Sequence, residues 1–115
     1  MNASIEMIRA VYDDRSAEIH GREYKLLKMK HRKRLQVFAF FSGIREELAG
    51  GSMAFMGKLE WEEIEKTISQ HVTFEEDLLE KLPDHFETYP EDYILFATTM
   101  LGAMSYPFLS GSLTA

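Results

Sequence analysis

The sequence predicts a single, mainly α domain of the α+β class, with about four helices and a small β-hairpin near its N-terminus. At 115 residues, the chain has the length of one domain and can bury roughly two-thirds of the surface that its unfolded form exposes. Apolar residues recur at three- and four-residue spacing over most of the chain, which predicts helices. One alternating stretch, interrupted by His20-Gly21, predicts the hairpin.

The predicted hairpin covers about residues 15–28. Gly21 supplies the positive φ that a two-residue turn needs, so Ile19 should pair with Arg22. In this register one face is apolar and carries Ala17, Ile19, Tyr24 and Leu26. The other face is polar and carries Ser16, Glu18, Glu23 and Lys25. A shift of one residue would reverse both faces, so the apolar face should pack on the helices.

The segment before the hairpin fits two structures. Residues 4–12 place Ile5, Ile8 and Tyr12 at helical spacing behind a possible Ser4 cap. Valine, isoleucine and tyrosine also favour strands, so an extended conformation is the alternative.

Four helices are predicted after the hairpin, over about residues 33–49, 59–72, 74–82 and 90–105. Gly50-Gly51 should end the first. The second has a narrow apolar stripe of Trp61, Ile64, Ile68 and Val72. The third should open with a capping box formed by Thr73 and Glu76, a pattern in which both side chains cap backbone N–H groups.

The last helix is predicted to be the central core helix. A capping box of Thr88 and Glu91 should open it, and Pro107 should end it, leaving a flexible tail over residues 110–115. Because no charged residue follows Asp92, a membrane anchor is the alternative. The apolar part of this segment, residues 93–109, is shorter than the roughly 20 residues that span a bilayer, so we expect no membrane contact.

Composition narrows the function classes. The chain has no cysteine, which removes disulfides and thiolate chemistry, and its N-terminus lacks the basic and apolar regions of a signal peptide. The net charge of −6 hides an asymmetry. Acidic residues are concentrated between residues 60 and 92, whereas a basic patch is formed by Lys25, Lys28, Lys30, Arg32, Lys33 and Arg34. Such opposite patches can attract different partners or copies of the same chain.

The basic patch suggests the alternative function, a small nucleic-acid-binding regulator that uses residues 25–34. We expect no nucleic acid as partner, because the chain is acidic overall and shows no recognisable reading helix. A metal site could be drawn from His71, Glu75, Asp84, His85 and Glu87, but the predicted helix start at Thr73 separates the first two. We therefore expect no metal and no cofactor. No catalytic motif is evident, so an enzyme is not expected.

Methionine and aromatic residues form a second candidate site. A domain of this size cannot easily bury eight phenylalanines, five tyrosines, one tryptophan and seven methionines. Flexible methionine side chains suit surfaces that bind varied apolar partners. The candidate partner-binding residues are Met53, Phe55, Met56, Met104, Tyr106 and Phe108. The alternative interpretation is that these residues fill the core.

The order of these segments resembles the tail assembly chaperones of long-tailed bacteriophages, over about residues 17–109. The likeness lies in a hairpin of the form Glu18-Ile19-His20-Gly21-Arg22-Glu23-Tyr24, a mid-chain helix that contains Trp61-Glu62-Glu63-Ile64-Glu65, and a segment Val72-Thr73-Phe74. It continues in His85-Phe86-Glu87-Thr88-Tyr89-Pro90-Glu91-Asp92-Tyr93, which leads to an apolar helix ending at Pro107-Phe108.

The resemblance implies a non-enzymatic chaperone in the host bacterial cytoplasm. Members of that family are thought to hold the long, helical, apolar tape measure protein in solution and to recruit tail tube subunits around it. The expected partners are therefore the tape measure protein and the tail tube protein. We also expect further copies of this chain, because oligomerisation would multiply weak sites along a long client. The family has no invariant functional residues to transfer, so the site residues above come from the sequence pattern alone.

Overall fold

A computed structural model describes residues 4–113, and the side chains of residues 4–109. This part of the chain contains five α-helices, four short strands and three 3₁₀ turns. The helices are α1 (Ile5–Asp14), α2 (His31–Ala49), α3 (Leu59–Ser69), α4 (His85–Thr88) and α5 (Tyr93–Leu113). The strands are β1 (Ser16–Ile19), β2 (Arg22–Leu26), β3 (Val72–Phe74) and β4 (Asp77–Leu78). The 3₁₀ turns cover Ala54–Gly57, Leu79–Lys81 and Pro90–Asp92. The mainly α architecture with a small β component is the predicted one, but the described residues form five helices and a four-stranded sheet where the sequence predicts about four helices and a hairpin.

The hairpin has the predicted register. Strands β1 and β2 are antiparallel, with Ile19 opposite Arg22 and Ala17 opposite Tyr24. His20 and Gly21 form the turn, with φ angles of 50° and 79°. The predicted inner face is buried, and Tyr24 has no exposed surface.

The predicted helix over residues 74–82 is wrong, because this segment extends the hairpin into a four-stranded sheet of order β1-β2-β3-β4. Strand β3 pairs antiparallel with β2, and Thr73 lies opposite Lys25. Glu75 and Glu76 form a tight turn with φ angles of 51° and 74°, which a helix cannot contain. The β-branched and aromatic side chains of Val72 and Phe74 are buried here, and this tertiary packing prevails over the local capping pattern.

The N-terminal segment is a helix, the first of its two predicted alternatives. The Ser4 hydroxyl accepts a hydrogen bond from the Met7 backbone N–H at 3.1 Å, as an N-cap does. Ile8 and Val11 face the core. Arg15 adopts a left-handed conformation with φ of 57° and turns the chain directly into β1.

Helices α2 and α3 follow the prediction with small shifts. Helix α2 starts at His31 and buries Val37, Phe41, Ile44 and Leu48. Its end is a Schellman motif, in which Gly51 has φ of 83° and Ser52 N–H donates to Glu47 O at 2.8 Å. Helix α3 ends at Ser69, three residues earlier than predicted, because Val72 belongs to β3.

Helix α5 is the core helix, but both of its predicted ends are wrong. The segment begins as a 3₁₀ turn over Pro90–Asp92, and Thr88 Oγ1 donates to Asp84 O at 3.2 Å instead of capping α5. The helix continues through Pro107 to Leu113. A proline removes one helical hydrogen bond, and here burial of Leu109 holds the next turn on the core. Residues 110–113 of the predicted flexible tail are therefore helical, and residues 114–115 lie outside the described residues.

Helices α1, α2 and α3 all contact α5. Gly102 lets α1 approach closely, since a Cβ atom at this position would lie 2.4 Å from Ile8 Cδ1. Among the helices that the structure describes, none is both long and apolar enough to cross a membrane.

Candidate functional site

A buried carboxylate, Asp92, joins the hairpin to the start of α5. Its side chain has no exposed surface and accepts four hydrogen bonds from the hairpin. Arg22 donates from Nε to Oδ2 at 2.7 Å and from Nη2 to Oδ1 at 2.9 Å. His20 Nδ1 donates to Oδ1 at 2.7 Å, and the Tyr24 hydroxyl donates to Oδ2 at 2.6 Å. We call His20, Arg22, Tyr24, His85 and Asp92 the Asp92 cluster.

The hydrogen bonds within the Asp92 cluster determine one histidine tautomer. Tyr24 has a single hydroxyl proton, which it donates to the Asp92 carboxylate. His85 Nε2 lies 2.8 Å from the same hydroxyl oxygen. Nε2 must therefore carry a proton and donate it to the Tyr24 oxygen. The neutral His85 ring packs among aromatic side chains, with its centroid 4.5 Å from that of Phe74.

The electrostatics of the Asp92 cluster favour an ionised carboxylate and a neutral histidine. Hydrogen bonds from Arg22, Tyr24 and His20 hold the pKa of Asp92 far below its usual value, against the opposing effect of burial. The pKa of Arg22 is raised, chiefly by its hydrogen bond to Asp92. Burial, followed by the hydrogen bond to Asp92, raises the pKa of Tyr24. Burial also lowers the pKa of His85.

Arg22 is held in place by further contacts. Its Nη2 also donates to Glu91 Oε1 at 2.8 Å, and its guanidinium lies 4.1 Å from the centre of the Tyr89 ring. Both Asp92 oxygens are occupied by hydrogen bonds from the chain itself. The Asp92 cluster therefore links the hairpin to the start of α5 by hydrogen bonds. The sequence analysis did not predict this cluster. Its signal was Arg22, which alternation places on the otherwise apolar face of the hairpin.

The predicted partner-binding residues are divided between core and surface. Phe55 and Met104 have no exposed surface, so their assignment to a partner surface is wrong. Phe55 packs edge-on against Trp61 at 5.1 Å between ring centres. Met53, Met56, Tyr106 and Phe108 are half-buried, and a role in partner binding remains a prediction for them. Phe108 contacts Phe38, and Tyr106 contacts Tyr12.

The predicted basic patch lies around the start of α2. Its five exposed members are Lys25, Lys28, Lys30, Arg32 and Lys33. Arg34 differs, because its guanidinium lies 6.0 Å from the centre of the Tyr12 ring and is partly buried. Nucleic-acid binding by this patch remains a prediction.

The two histidines of the metal site considered from the sequence, His71 and His85, each form a hydrogen bond within the chain. His71 Nδ1 lies 2.7 Å from the backbone carbonyl of Thr67 and donates to it, whereas His85 Nε2 is bonded to Tyr24. Within residues 4–109, no three histidine, aspartate or glutamate side chains are grouped as metal ligands.

A surface groove lies between α3, the Leu79–Lys81 turn and the first turn of α5. Its volume is about 470 Å³. The walls are mostly apolar and include Trp61, Ile68, Leu79, Leu82, Phe86 and Phe96. Its charged lining residues are Glu62, Glu65, Lys66 and Glu80. We call this feature the α3 groove.

Hydrogen bonds hold one wall of the α3 groove. Trp61 Nε1 donates to the Tyr93 hydroxyl at 3.0 Å, and that hydroxyl donates to Glu65. Burial and the Glu65 hydrogen bond raise the pKa of Tyr93. Tyr93 and Trp61 are therefore fixed in position, which gives the groove a preformed aromatic wall.

No family model, curated protein or solved structure matches this chain.

Proposed function

We propose that this protein is a non-enzymatic tail assembly chaperone of a long-tailed bacteriophage or prophage. In this proposal, the chain binds and solubilises the tape measure protein in the host cytoplasm and helps to recruit tail tube subunits. The resemblance of residues 17–109 to that family suggests the role. The observation that carries it in the structure is the α3 groove, a preformed apolar surface on a small acidic domain.

The α3 groove has the chemistry to bind an apolar helix. Helix-in-groove recognition places several side chains from one face of an amphipathic helix into an apolar channel. Phe86 and Leu82 are half-buried at the groove and offer apolar surface without exposing the core. The three glutamates Glu62, Glu65 and Glu80 outnumber the single Lys66, so basic residues beside the apolar face of a client would be attracted.

Weak binding at one groove suits a chaperone whose client is long. Several copies of a small domain along one client multiply their separate affinities. Each site can then release its segment when tail tube subunits arrive. The net charge of −6 keeps such an array soluble.

The experiment is co-expression with the tape measure protein encoded by the neighbouring genes, measuring how much of that client remains in the soluble fraction. The first variant, Leu82→Glu, places a charge at the apolar groove. Leu59→Glu is the matched control, because Leu59 is 81% exposed and lies outside the groove. A second variant, Glu62→Lys with Glu80→Lys, reverses the charge at two exposed positions and leaves the apolar packing intact.

We expect wild type and Leu59→Glu to keep the client soluble, and both groove variants to lose at least half of it to the pellet. Circular dichroism of each variant verifies that it is folded. Full client solubility with both folded groove variants would exclude the α3 groove as the client site. A client that is insoluble with wild type would overturn the chaperone function.

A further inference from the structure

The outer face of α2 differs from that of an ordinary surface helix. Its exposed residues Arg32, Leu35, Ala39, Ser42 and Glu46 are separated by three, four, three and four positions, the spacing of a coiled-coil seam. At 100° per residue, this face is centred on Ala39 and lies opposite the buried face of α2. The buried face consists of Val37, Phe41, Ile44 and Leu48.

The middle of this face is uncharged. No acidic or basic residue occurs between Leu35 and Ile44, and Leu35 is 36% exposed. The exposed side of α3, in contrast, carries Glu60, Glu62, Glu63 and Lys66. Charged residues normally cover the solvent side of a helix, so the outer face of α2 has the composition of a contact surface.

The charges at the two ends of α2 oppose its helix dipole. The first turn carries Arg32 and Lys33 and no acidic residue, although the N-terminus of a helix is its positive end. Glu46 lies at the negative C-terminal end, exposed and without an ion pair among the described residues. Both arrangements are unfavourable in an isolated helix. Each would be relieved by an opposite charge from outside.

We propose that a second copy of this chain packs on this face, with the two α2 helices antiparallel and a two-fold axis at Ala39. The axis pairs residues that are equally far from Ala39 on either side. Arg32 of one copy therefore lies opposite Glu46 of the other. Leu35 lies opposite Gly43, where a Cβ atom would meet nothing within 4 Å. The open space at Gly43 receives the exposed leucine, and the basic end of each helix meets the acidic end of its partner.

The second copy fits this face for two further reasons. An isologous contact uses one surface twice, so a face with one basic and one acidic end is complementary to itself when reversed. Antiparallel packing also brings the opposite ends of the two helix dipoles together. The dimer does not depend on the proposed chaperone function, because the α3 groove is formed by other elements.

The test is sedimentation equilibrium of the full chain from about 10 µM to about 1 mM, a range that covers the weak association of small interfaces. We expect wild type to dimerise. Ala39→Arg places two like charges at the axis and should leave a folded monomer, since residue 39 is exposed. Glu63→Arg, on the exposed side of α3, is the control that should leave the dimer unchanged.

Charge exchange tests the antiparallel pairing itself. Arg32→Glu alone and Glu46→Arg alone should each weaken self-association by at least about tenfold, because each places like charges opposite one another twice in the dimer. An equimolar mixture of the two variant chains should associate again, since every opposed pair then has opposite signs. The double variant, Arg32→Glu with Glu46→Arg, should dimerise like wild type.

Four results would overturn the proposal. A wild-type chain that stays monomeric up to about 1 mM has no such interface. Dimerisation that persists in folded Ala39→Arg, or single-charge variants that do not recover when they are mixed, places the contact elsewhere. A wild-type chain that associates only when nucleic acid is added would assign the basic residues Arg32 and Lys33 to that partner instead.

Discussion

The Tyr24 hydroxyl donates to Asp92 Oδ2 at 2.6 Å, joining two residues that are 68 positions apart. Neither side chain is exposed. The same hydroxyl oxygen accepts from His85, so one tyrosine in the hairpin connects both halves of the segment that leads into α5. The stability of the domain should therefore depend on groups that sequence alone would assign to a turn and a helix start.

Replacing Asp92 with asparagine should lower the free energy of unfolding by about 2–4 kcal/mol. The substitution removes the buried negative charge that neutralises the Arg22 guanidinium. Urea denaturation measures the change. Glu91→Gln is the matched control, because Glu91 also accepts from Arg22 but its side chain is 52% exposed. Its cost should stay below about 1 kcal/mol. Equal losses in both variants would show that the buried carboxylate has no special role.

Asp92 should also make the fold sensitive to acid. Its pKa is far below the usual value because Arg22, Tyr24 and His20 bind the ionised form. The unfolded chain binds the proton more readily, so the stability contributed by Asp92 is complete above about pH 4 and is lost progressively below it. Between about pH 5 and pH 2, the free energy of unfolding should therefore fall more steeply with decreasing pH in wild type than in Asp92→Asn, as measured by urea denaturation at each pH. Parallel curves would contradict the assignment.

His85 should contribute a second pH dependence of stability. Burial has the largest effect and lowers the pKa of His85. The negative charges of Asp92 and Glu75 raise this pKa, and the positive charge of Arg22 lowers it further. Protonation therefore favours the unfolded chain, and the free energy of unfolding should rise with pH up to about 6.5. His85→Gln, which keeps a donor for Tyr24, should reduce this slope. A slope in His85→Gln equal to that of wild type would contradict this role of His85.

Gly102→Ala should destabilise the packing of α1 on α5. The new methyl group would lie 2.4 Å from Ile8 Cδ1 and 2.8 Å from Ile8 Cγ1, so the whole side chain must move. We expect a loss of about 1–3 kcal/mol, despite the better helix propensity of alanine. Gly43→Ala, where the added methyl group meets nothing, should gain up to about 1 kcal/mol. Thermal denaturation in an Ala39→Arg background compares the two in monomeric chains.

Phe55→Ser should destabilise the domain far more than Met56→Ser. Phe55 is fully buried against Trp61 and Phe40, so its loss leaves a cavity and should cost about 3–5 kcal/mol. Met56 is only half-buried, and its replacement should cost about 1 kcal/mol. Urea denaturation measures both. A similar loss of stability in both variants would indicate that Phe55 is a surface residue, as the sequence predicted.

Local sequence signals predicted the elements that local interactions determine. The His20-Gly21 turn and the alternation around it gave the hairpin register, because one register alone buries Ala17 and Tyr24 together. The apolar stripe of Trp61, Ile64 and Ile68 gave α3 for a similar reason.

The errors arose where distant contacts decide the structure. Thr73 and Glu76 have the spacing of a capping box, yet pairing of Thr73 with Lys25 makes a strand. Asp92 suits the start of a helix by its charge, and nothing near it in sequence indicates that it will be buried and hydrogen-bonded to Arg22. The same limit applies to Phe55, which the sequence pattern assigned to a partner surface and which the fold buries against Trp61.

The position of α5 has a consequence for synthesis. Helices α1, α2 and α3 all pack on this last helix, and the hairpin is fastened to the residue just before it. During translation, the earlier segments leave the ribosome before the surface that covers them exists. The nascent chain must therefore keep these apolar faces unburied until α5 has emerged, and the domain closes only then.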